Sequence, residues 1–254
     1  MTMQDQDFDA ATLEVLAQVS TNTIAGMLIK IGGMRTRSIR HARPLNPKNA
    51  RFVGPAFTVR NVPVREDLTD RASMVSPKSH LHGTIDTIPA GSVVVFDMLG
   101  DTGCGAIGDV LVAVLINRGV AGLVTDGAMR DGDAISAMSL PVFSNGVAPA
   151  PSNRSLLAAD VQVTIGCGGV MIVPGDIVVA DPDGVVVVPK HLVAQVARDG
   201  FEQEQLEAWV KAKIENGAPA TGLYPPDDNT KAAFYAWREQ QNAAKPAAKS
   251  SAKS

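Results

Sequence analysis

The chain has 254 residues, and its 23 lysines and arginines against 26 aspartates and glutamates give a net charge of −3. This balance gives no reason to expect binding to nucleic acid or to a membrane, and an aromatic content of 4% does not favour stacking on single-stranded nucleic acid. A hydrophobic fraction of 45% and two distant cysteines indicate a globular protein of a reducing compartment, which we expect to be cytoplasmic.

The first 143 residues predict an alternation of helices and strands. Apolar residues at helical spacing predict one or two helices over 11–31, with Ser20, Thr21 or Asn22 capping the second. Because a strand–helix–strand unit of the length seen over 92–125 pairs its strands in parallel, the sequence predicts an α/β protein. The further predictions are a strand with a Gly-Pro interruption over 52–62, a helix around 67–75, strands over 92–96, 122–125 and from 141, and helices over 109–118 and 131–138.

The remaining residues predict short strands and then long helices. Four β-branched runs, over 161–165, 170–173, 177–180 and 185–188, predict strands, and a Pro-Asp-Gly turn joins the last two. A helix is predicted over 190–216 and another over 230–241. We expect one domain over 1–222, a linker and helix over 223–241 and a disordered tail over 242–254.

A glycine-rich segment lies between a predicted strand and a predicted helix. Its sequence GCGAIG, residues 103–108, matches the dinucleotide-binding pattern, and Asp126 ends the next strand where a ribose-binding acid would lie. Against this, Asp109 follows the last glycine directly, and a carboxylate there repels a pyrophosphate. The open alternatives are a flexible loop and a site at which the amides that begin helix 109–118 hold a smaller anion such as a carboxylate.

A second candidate site follows the strand over 122–125. Arg130 and Asp131 leave a turn at the carboxyl end of this strand, where open α/β sheets place their ligands. Taken alone, they also fit a surface ion pair and a helix cap. However, Asp109 precedes Arg130 by one helix and one strand, so the chain returns to the same side of the sheet. The three side chains are therefore expected to line one cleft suited to metal-assisted chemistry.

The run GDVLVAVLINRGVAGLVTDGAMRD, residues 108–131, resembles the signature of RraA-like proteins, a family that includes class II 4-hydroxy-4-methyl-2-oxoglutarate aldolases. That signature is an acidic residue, twenty residues and then Arg-Asp, met here by Asp109, Arg130 and Asp131. The likeness extends from about residue 20 to residue 217. It implies an αββα sandwich of the swivelling β/β/α type, assembled as a homotrimer or a dimer of trimers with the active site between subunits.

The resemblance also implies a role for each site residue. Asp131 would hold Mg²⁺ or Mn²⁺, largely through water, and Arg130 would contact the 2-oxo acid and stabilise its C2 oxyanion. Asp109 would orient water or move a proton. Glu202, or else Glu204, would reach the site of a neighbouring subunit, and Arg154 would bind substrate where the characterised aldolases have lysine. The substrate carboxylate would lie on the amides of Gly108, Asp109, Val110 and Leu111.

The implied function is a metal-dependent lyase that cleaves a 4-hydroxy-2-oxo dicarboxylic acid to pyruvate. Decarboxylation of oxaloacetate passes through the same pyruvate enolate, so one site would carry both activities. The alternative is a non-enzymatic regulator that binds a ribonuclease or another protein. Outside the site, we interpret His80 and His82 as a weak metal signal on one strand face, Lys78 and Lys190 as surface residues, and Cys104 as a small buried residue.

Overall fold

The structure, a computed structural model, describes residues 8–70 and 79–244. The chain divides into two compact units, Met1–Gly200 and Phe201–Ser254. The division falls inside a helix that the sequence predicts as continuous. The predicted domain over 1–222 stays a prediction, and most of the predicted tail, from residue 245, lies outside the described residues.

The first unit is built on one curled sheet and a separate two-stranded hairpin. The strands are β1 (Arg43–Pro44), β2 (Phe52–Pro63), β3 (Val93–Asp97), β4 (Gly122–Thr125), β5 (Val142–Ser144), β6 (Leu156–Val161), β7 (Ile165–Cys167), β8 (Val170–Ile172), β9 (Ile177–Asp181) and β10 (Gly184–Val188). The strands of the sheet run in the order β1-β5-β4-β3-β2-β9-β10, with β6 also paired to β2, and the hairpin pairs β7 with β8.

Strand β2 is continuous, so the Gly-Pro pair predicted to interrupt it marks a change of partner instead. Its first residues, 52–55, pair with β9, and from Ala56 onward it pairs in parallel with β3. Gly54 is required at this junction, because a Cβ there would lie 2.2 Å from the carbonyl oxygen of Gly91. The second half of β2 also pairs with β6, which places Asn61 between two neighbouring strands.

The helices of the first unit are α1 (Ala10–Leu16), α2 (Thr21–Gly32), α3 (Asp109–Asn117) and α4 (Gly132–Ser136). Ser20 caps α2, since its side chain accepts a hydrogen bond from the amide of Thr23. Strands β3, β4 and β5 are mutually parallel, with α3 connecting β3 to β4. The predicted α/β class is therefore confirmed, and the carboxyl ends of these three strands lie at one edge of the sheet.

Two hydrophobic clusters cover the two faces of this sheet. In β3, Val94 and Phe96 belong to one cluster and Val93 and Val95 to the other, as expected from the alternation of side chains along a strand. The cluster that contains Phe96 also holds Val112 and other residues of α3. Burial of β3 on both faces explains its uninterrupted apolar sequence.

Several predicted boundaries are wrong. The run over 161–165 spans the end of β6 and the start of β7, and between them Gln162 has a φ of 55° that no strand allows. The helix predicted over 131–138 is only α4, and residues 67–70 contain no helix, while 71–75 lie outside the described residues. His80 and His82 lie in a turn rather than on a strand. The final helices are α5 (Val193–Glu215), preceded by a 3-10 turn, and α6 (Asp228–Ala244).

The second unit contains the end of α5 and all of α6. Its core joins Leu206, Trp209 and Val210 of α5 to Phe234 of α6, which is 1% exposed. The rings of Trp209 and Phe234 meet edge to face at a centroid distance of 5.8 Å. Within the described residues, none of the helices is long and apolar enough to cross a membrane.

Candidate active site

A cavity of about 300 Å³ opens where β3 and β4 end. One part of its wall carries Asp109, Arg130 and Asp131, the three residues that the sequence predicts to meet. The other part is neutral and mostly apolar. The residues that line the cavity are Asn61, Leu81, His82, Phe96, the segment 105–111, Arg130, Asp131, and the segments 151–153 and 156–158.

The glycine-rich loop is hydrogen-bonded directly to the turn that carries Arg130. The amide of Ala106 donates to the carbonyl of Ala128 at 2.8 Å, and the amide of Arg130 donates to the carbonyl of Ile107 at 3.0 Å. A Cβ on Gly105 would lie 2.5 Å from the backbone nitrogen of Arg130, so only glycine permits this approach. The loop therefore positions the start of α3 against Arg130 and Asp131.

Asp131 contacts the start of α3 through its side chain. Its Oδ2 accepts a hydrogen bond from the amide of Asp109 at 3.3 Å, and a Cβ on Gly108 would lie 2.3 Å from the same oxygen. Asp131 adopts the left-handed region, with φ 51° and ψ 38°, which is uncommon for a residue with a side chain and recurs at functional sites. The two carboxylates thus lie at the positive end of α3, which favours negative charge.

Two of the four amides predicted to bind a substrate carboxylate already have carboxylate partners. The amide of Asp109 donates to Asp131, and the amide of Val110 donates to Oδ1 of Asp109 at 2.8 Å. The amides of Gly108 and Leu111 belong to the same stretch of cavity wall. A substrate carboxylate bound here would compete with Asp109 and Asp131 for the first two donors.

Two residues of the cavity wall each have a buried side-chain atom without a hydrogen-bond partner among the residues that the structure describes. These atoms are Nε of Arg130, a hydrogen-bond donor, and Oδ1 of Asn153, an acceptor. Unpaired buried polar atoms are rare in folded proteins because each costs free energy.

The donor set fits a hard divalent cation. Mg²⁺ is commonly held by one or two carboxylates with water completing its coordination, and Asp109 and Asp131 supply two carboxylates on one wall. Over residues 8–70 and 79–244, no group of three or more His, Cys, Asp or Glu side chains could hold a metal, so the nitrogen- and sulfur-rich set preferred by zinc is not found there.

Arg154 and Glu202 are not among the residues that line the cavity. The charge of Arg154 acts on Asp101 and Cys104 instead. Glu202 belongs to the second unit, where both of its carboxylate oxygens accept hydrogen bonds from Arg238, at 2.7 and 2.9 Å. Its role in a neighbouring subunit and the substrate contact of Arg154 stay predictions.

Asp126 has a structural role that competes with ribose binding. It is 6% exposed, and its two oxygens accept hydrogen bonds from the amides of Met98 and Gly168. The GCGAIG segment is likewise engaged in hydrogen bonds to neighbouring loops. Both observations disfavour the dinucleotide interpretation of this segment.

Asp101 and Cys104 stabilise the glycine-rich loop through hydrogen bonds between their side chains and with Ser155. The pKa of Asp101 is lowered mainly by the amide of Gly103, which donates to its carboxylate, and by the hydroxyl of Ser155. Burial raises the pKa of the Cys104 thiol. Cys104 is 0% exposed, so the prediction of a small buried residue is confirmed.

Sequence reasoning missed the neutral part of the wall. Asn61 and Asn153 lie in segments that carry no motif, and His82 was considered only as a possible metal ligand. Asn61 donates its side-chain amide to the carbonyl of Asp97 at 2.9 Å, which fixes it at the end of β3. A buried asparagine within an apolar strand was the one available signal, because such a residue needs a partner.

A family model described as RraA-like, Aldolase/RraA, matches residues 14–187. A Halalkalibacterium halodurans protein, provisionally named a 4-hydroxy-4-methyl-2-oxoglutarate aldolase, is 37% identical over 148 residues, which are 58% of this chain and 64% of that protein. Protein DlpA of Legionella pneumophila is 29% identical over 69% of this chain but only 27% of its own length. This chain thus spans less than two thirds of either relative.

Two solved structures share the fold of most of the chain. Streptomyces coelicolor RraAS2, described as an unusual member of the RNase ES inhibitor RraA protein family, superposes with a TM-score of 0.72 at 30% identity, covering 80% of this chain and 97% of that one. A Pseudomonas syringae protein superposes with a TM-score of 0.73 at 28% identity, covering 85% and 98%. The fold expected from the sequence resemblance is therefore confirmed.

Proposed function

Since the chain belongs to the RraA-like family, we propose that it is a divalent-metal-dependent lyase that cleaves a 4-hydroxy-2-oxo acid to pyruvate and an aldehyde or ketone. The observation that carries the proposal is that Arg130, Asp109 and Asp131 line the same cavity. A fixed cation beside two acids suits a reaction in which negative charge develops on a ketone oxygen. The aldolase names among the relatives support the same class.

In the proposed reaction, Arg130 donates a hydrogen bond to the C2 oxygen of the substrate. Asp109 takes the proton of the C4 hydroxyl, either directly or through water, and the C3–C4 bond breaks. Its electron pair moves toward C2 and leaves the enolate of pyruvate, which Arg130 stabilises. A proton then returns to C3 and completes pyruvate. A divalent cation held by Asp131, with Asp109 nearby, would supply further stabilisation of the negative charge at C2.

Oxaloacetate decarboxylation is proposed as a second activity of this site. Loss of CO₂ from C4 leaves the same enolate, so it requires the same stabilisation at C2 but no base for a hydroxyl proton. Dicarboxylic acids related to 4-hydroxy-4-methyl-2-oxoglutarate are the substrates that the family resemblance suggests for cleavage.

The proposal is tested by following pyruvate released from oxaloacetate and from 4-hydroxy-4-methyl-2-oxoglutarate with Mg²⁺, with Mn²⁺ and with EDTA. We expect turnover that EDTA abolishes, and a loss of about 100-fold or more in kcat/KM for Arg130→Ala. Arg35→Ala, at an exposed position, is the matched control and should retain native activity. Absence of metal-dependent turnover in the native protein would contradict the proposal.

The second candidate is a regulator that binds a ribonuclease or another protein without catalysis. It is favoured by the similarity to RraAS2, whose description places it in a family of ribonuclease inhibitors. The regulator would be supported if the native protein turned over no 2-oxo acid and if Arg130→Ala bound a ribonuclease as tightly as the native protein does.

We also propose a homotrimer or a dimer of trimers in which Glu202 contributes to a neighbouring site. Multi-angle light scattering gives the assembly size. Because Arg238 donates hydrogen bonds to Glu202, we expect Arg238→Ala to free the carboxylate of Glu202. The variant should change kcat/KM for pyruvate release if Glu202 reaches the substrate of a neighbouring subunit, and should leave it unchanged if Glu202 does not.

A further inference from the structure

A second cavity, of about 320 Å³, lies between α2 and the turn that joins β9 to β10. It is separate from the candidate active site, since no described residue lines both cavities. Its volume is that of a small-molecule site. Its wall carries Arg40, His41 and Arg43, together with one acidic residue, Asp183.

The cationic side chains of this wall come from a basic segment that contributes nothing to the candidate active site. Residues 35–43, RTRSIRHAR, contain four arginines and one histidine but no acidic residue, in a chain whose net charge is −3. One of these arginines, Arg37, forms a salt bridge with Asp176. Within the part of the chain that the structure describes, Arg40 and Arg43 have no carboxylate partner, and both are exposed. Their charges are therefore accessible to a ligand.

Strand pairing brings both arginines to the turn between β9 and β10. The segment pairs antiparallel with β10, with Ser38 opposite Val186, and this register places Arg40 opposite the first residue of that strand. Nη1 of Arg43 donates to the carbonyl oxygen of Asp183, the residue before β10, at 3.4 Å. The two arginines thus converge on adjacent residues of one turn, although two residues separate them along the chain.

Both guanidinium groups are anchored by backbone carbonyls. Nε of Arg40 donates to the carbonyl oxygen of Gly168 at 3.2 Å, and a Cβ on Gly169 would lie 2.2 Å from Nη2 of Arg40. The tip of the β7–β8 hairpin therefore leaves room for this guanidinium only because it is glycine. A guanidinium has five N–H donors, so Arg40 and Arg43 keep donors for a ligand. Their anchoring reduces the side-chain entropy that is lost on binding.

The charges of the wall favour a compact dianion. Asp183 opposes an anion, but its carboxylate accepts a hydrogen bond from Nδ2 of Asn22 at 2.7 Å, and the two arginines outweigh its charge. Guanidinium groups match the oxygen geometry of phosphate and carboxylate groups. A phosphate monoester carries its charges on one group of three terminal oxygens, which suits two arginines at one turn, whereas a dicarboxylate separates its charges.

We propose that this second cavity binds a small molecule that carries a phosphate monoester, with Arg40 and Arg43 donating hydrogen bonds to the phosphate oxygens. The remaining wall, which includes Ser38 and Ala25 of α2, accommodates the organic part of the ligand. The site does not depend on the proposed lyase function, because the two cavities have separate walls.

Isothermal titration calorimetry at constant ionic strength tests the site, with glycerol 3-phosphate as the phosphate monoester and succinate as the dicarboxylate. We expect the native protein to bind glycerol 3-phosphate at one saturable site with a Kd below about 1 mM. Succinate should bind at least about tenfold more weakly. Arg43→Gln should weaken the binding of glycerol 3-phosphate by about tenfold or more, because it removes charge-assisted hydrogen bonds.

Arg35→Gln is the matched control, because Arg35 is an exposed arginine of the same basic segment that does not line the cavity. It should change the Kd by less than about twofold, since a distant exposed charge is screened by salt. If Arg43→Gln does not fold, Arg43→Lys takes its place. It keeps the charge but loses the planar fork, and should weaken binding by about threefold or more.

Asp183→Asn provides a variant whose expected effect has the opposite sign. It removes the negative charge from the wall and keeps an acceptor for Asn22, so it should tighten the binding of glycerol 3-phosphate by about threefold or more. A loss of affinity in this variant would contradict the proposed position of the phosphate group.

Absence of saturable binding, equal affinity for succinate, or equal weakening in Arg35→Gln and Arg43→Gln would overturn the inference. Loss of binding in Arg130→Ala would also overturn it, because the phosphate ester would then lie in the candidate active site. None of these outcomes bears on pyruvate release, so the lyase proposal is tested separately.

Discussion

The contact between Gly108 and Asp131 fixes the position of the Asp131 carboxylate in the site. Because a Cβ at residue 108 would lie 2.3 Å from Oδ2 of Asp131, the carboxylate occupies the space that any other residue would need. The hydrogen bond from the amide of Asp109 then holds this oxygen at the start of α3. A small displacement here moves a group that is proposed to hold the metal.

We therefore predict that Gly108→Ala lowers kcat/KM for pyruvate release by about 100-fold, the loss that a displacement of roughly 1 Å can cause at an active site. Far-UV circular dichroism should show an intact fold. Gly26→Ala is the matched control, because nothing lies within 4 Å of a Cβ there and alanine favours a helix interior. It should keep full activity and raise the free energy of unfolding by about 0.5–1 kcal/mol. Equal activity of the two variants would contradict the assignment.

Asp97 is a buried carboxyl whose ionisation is unfavourable in the folded protein. Burial raises its pKa, the charge of Asp126 adds to the effect, and the amides of Leu99 and Gly166, which donate to it, act in the opposite direction. A raised pKa in the folded state means that the group contributes a stability fully present below its ordinary pKa of 3.8 and lost as pH rises through the folded-state value.

The free energy of unfolding of the native protein minus that of Asp97→Asn should accordingly decrease as pH rises from about 4 to 7. Urea titrations across this range measure it. Asp227→Asn provides the contrast, because the amide of Thr230 lowers the pKa of Asp227 and any contribution of that carboxylate is lost only below pH 3.8. Its difference should stay constant from pH 5 to 7. An increase with pH for Asp97 would show that the hydrogen bonds outweigh burial.

At the scale of elements, β2 serves both hydrophobic clusters of the first unit. Phe57 and Val59 pack in the cluster that includes α3, whereas Phe52 and Ala56 pack in the other. The sequence predicted this strand but not its role, since pairing with β3, β6 and β9 depends on residues more than thirty positions away. Strand pairing of that kind leaves no signal in a single window of sequence.

The helical second unit depends on the aromatic contact between α5 and α6. Phe234→Ala removes a ring that is 1% exposed and should destabilise α6 by about 3–4 kcal/mol, because the remaining side chains cannot fill the space. Hydrogen exchange of the amides over 228–244 measures this. Tyr235→Ala is the neighbouring control, at 41% exposure, and should cost less than about 1 kcal/mol. Equal exchange in both variants would show that the core of this unit lies elsewhere.

For the molecule as a whole, local signals predicted the α/β class and the meeting of Asp109 with Arg130 and Asp131. The apolar runs of β3 and β4 and the helix between them specify parallel strands, and parallel strands bring their ends together. Asn61, His82 and Asn153 were out of reach, since they enter the wall through β6 pairing and through loops without a motif. The predicted strand over 161–165 contains only the last residue of β6, so β6 was missed, and the prediction crosses the turn at Gln162 to the first residue of β7.

The two parts of the cavity wall come from separate stretches of chain. Residues 105–111 with Arg130 and Asp131 form the charged part, while 151–153 and 156–158 form most of the neutral part. If the proposed lyase function holds, a library randomised at Asn153, Leu157 and Ala158 would search for new aldehyde acceptors while the residues proposed to act on the pyruvate half stay unchanged. In the reverse of the proposed reaction, such variants would form carbon–carbon bonds. They would share the pyruvate enolate as the nucleophile and differ in the aldehyde that they accept as the electrophile.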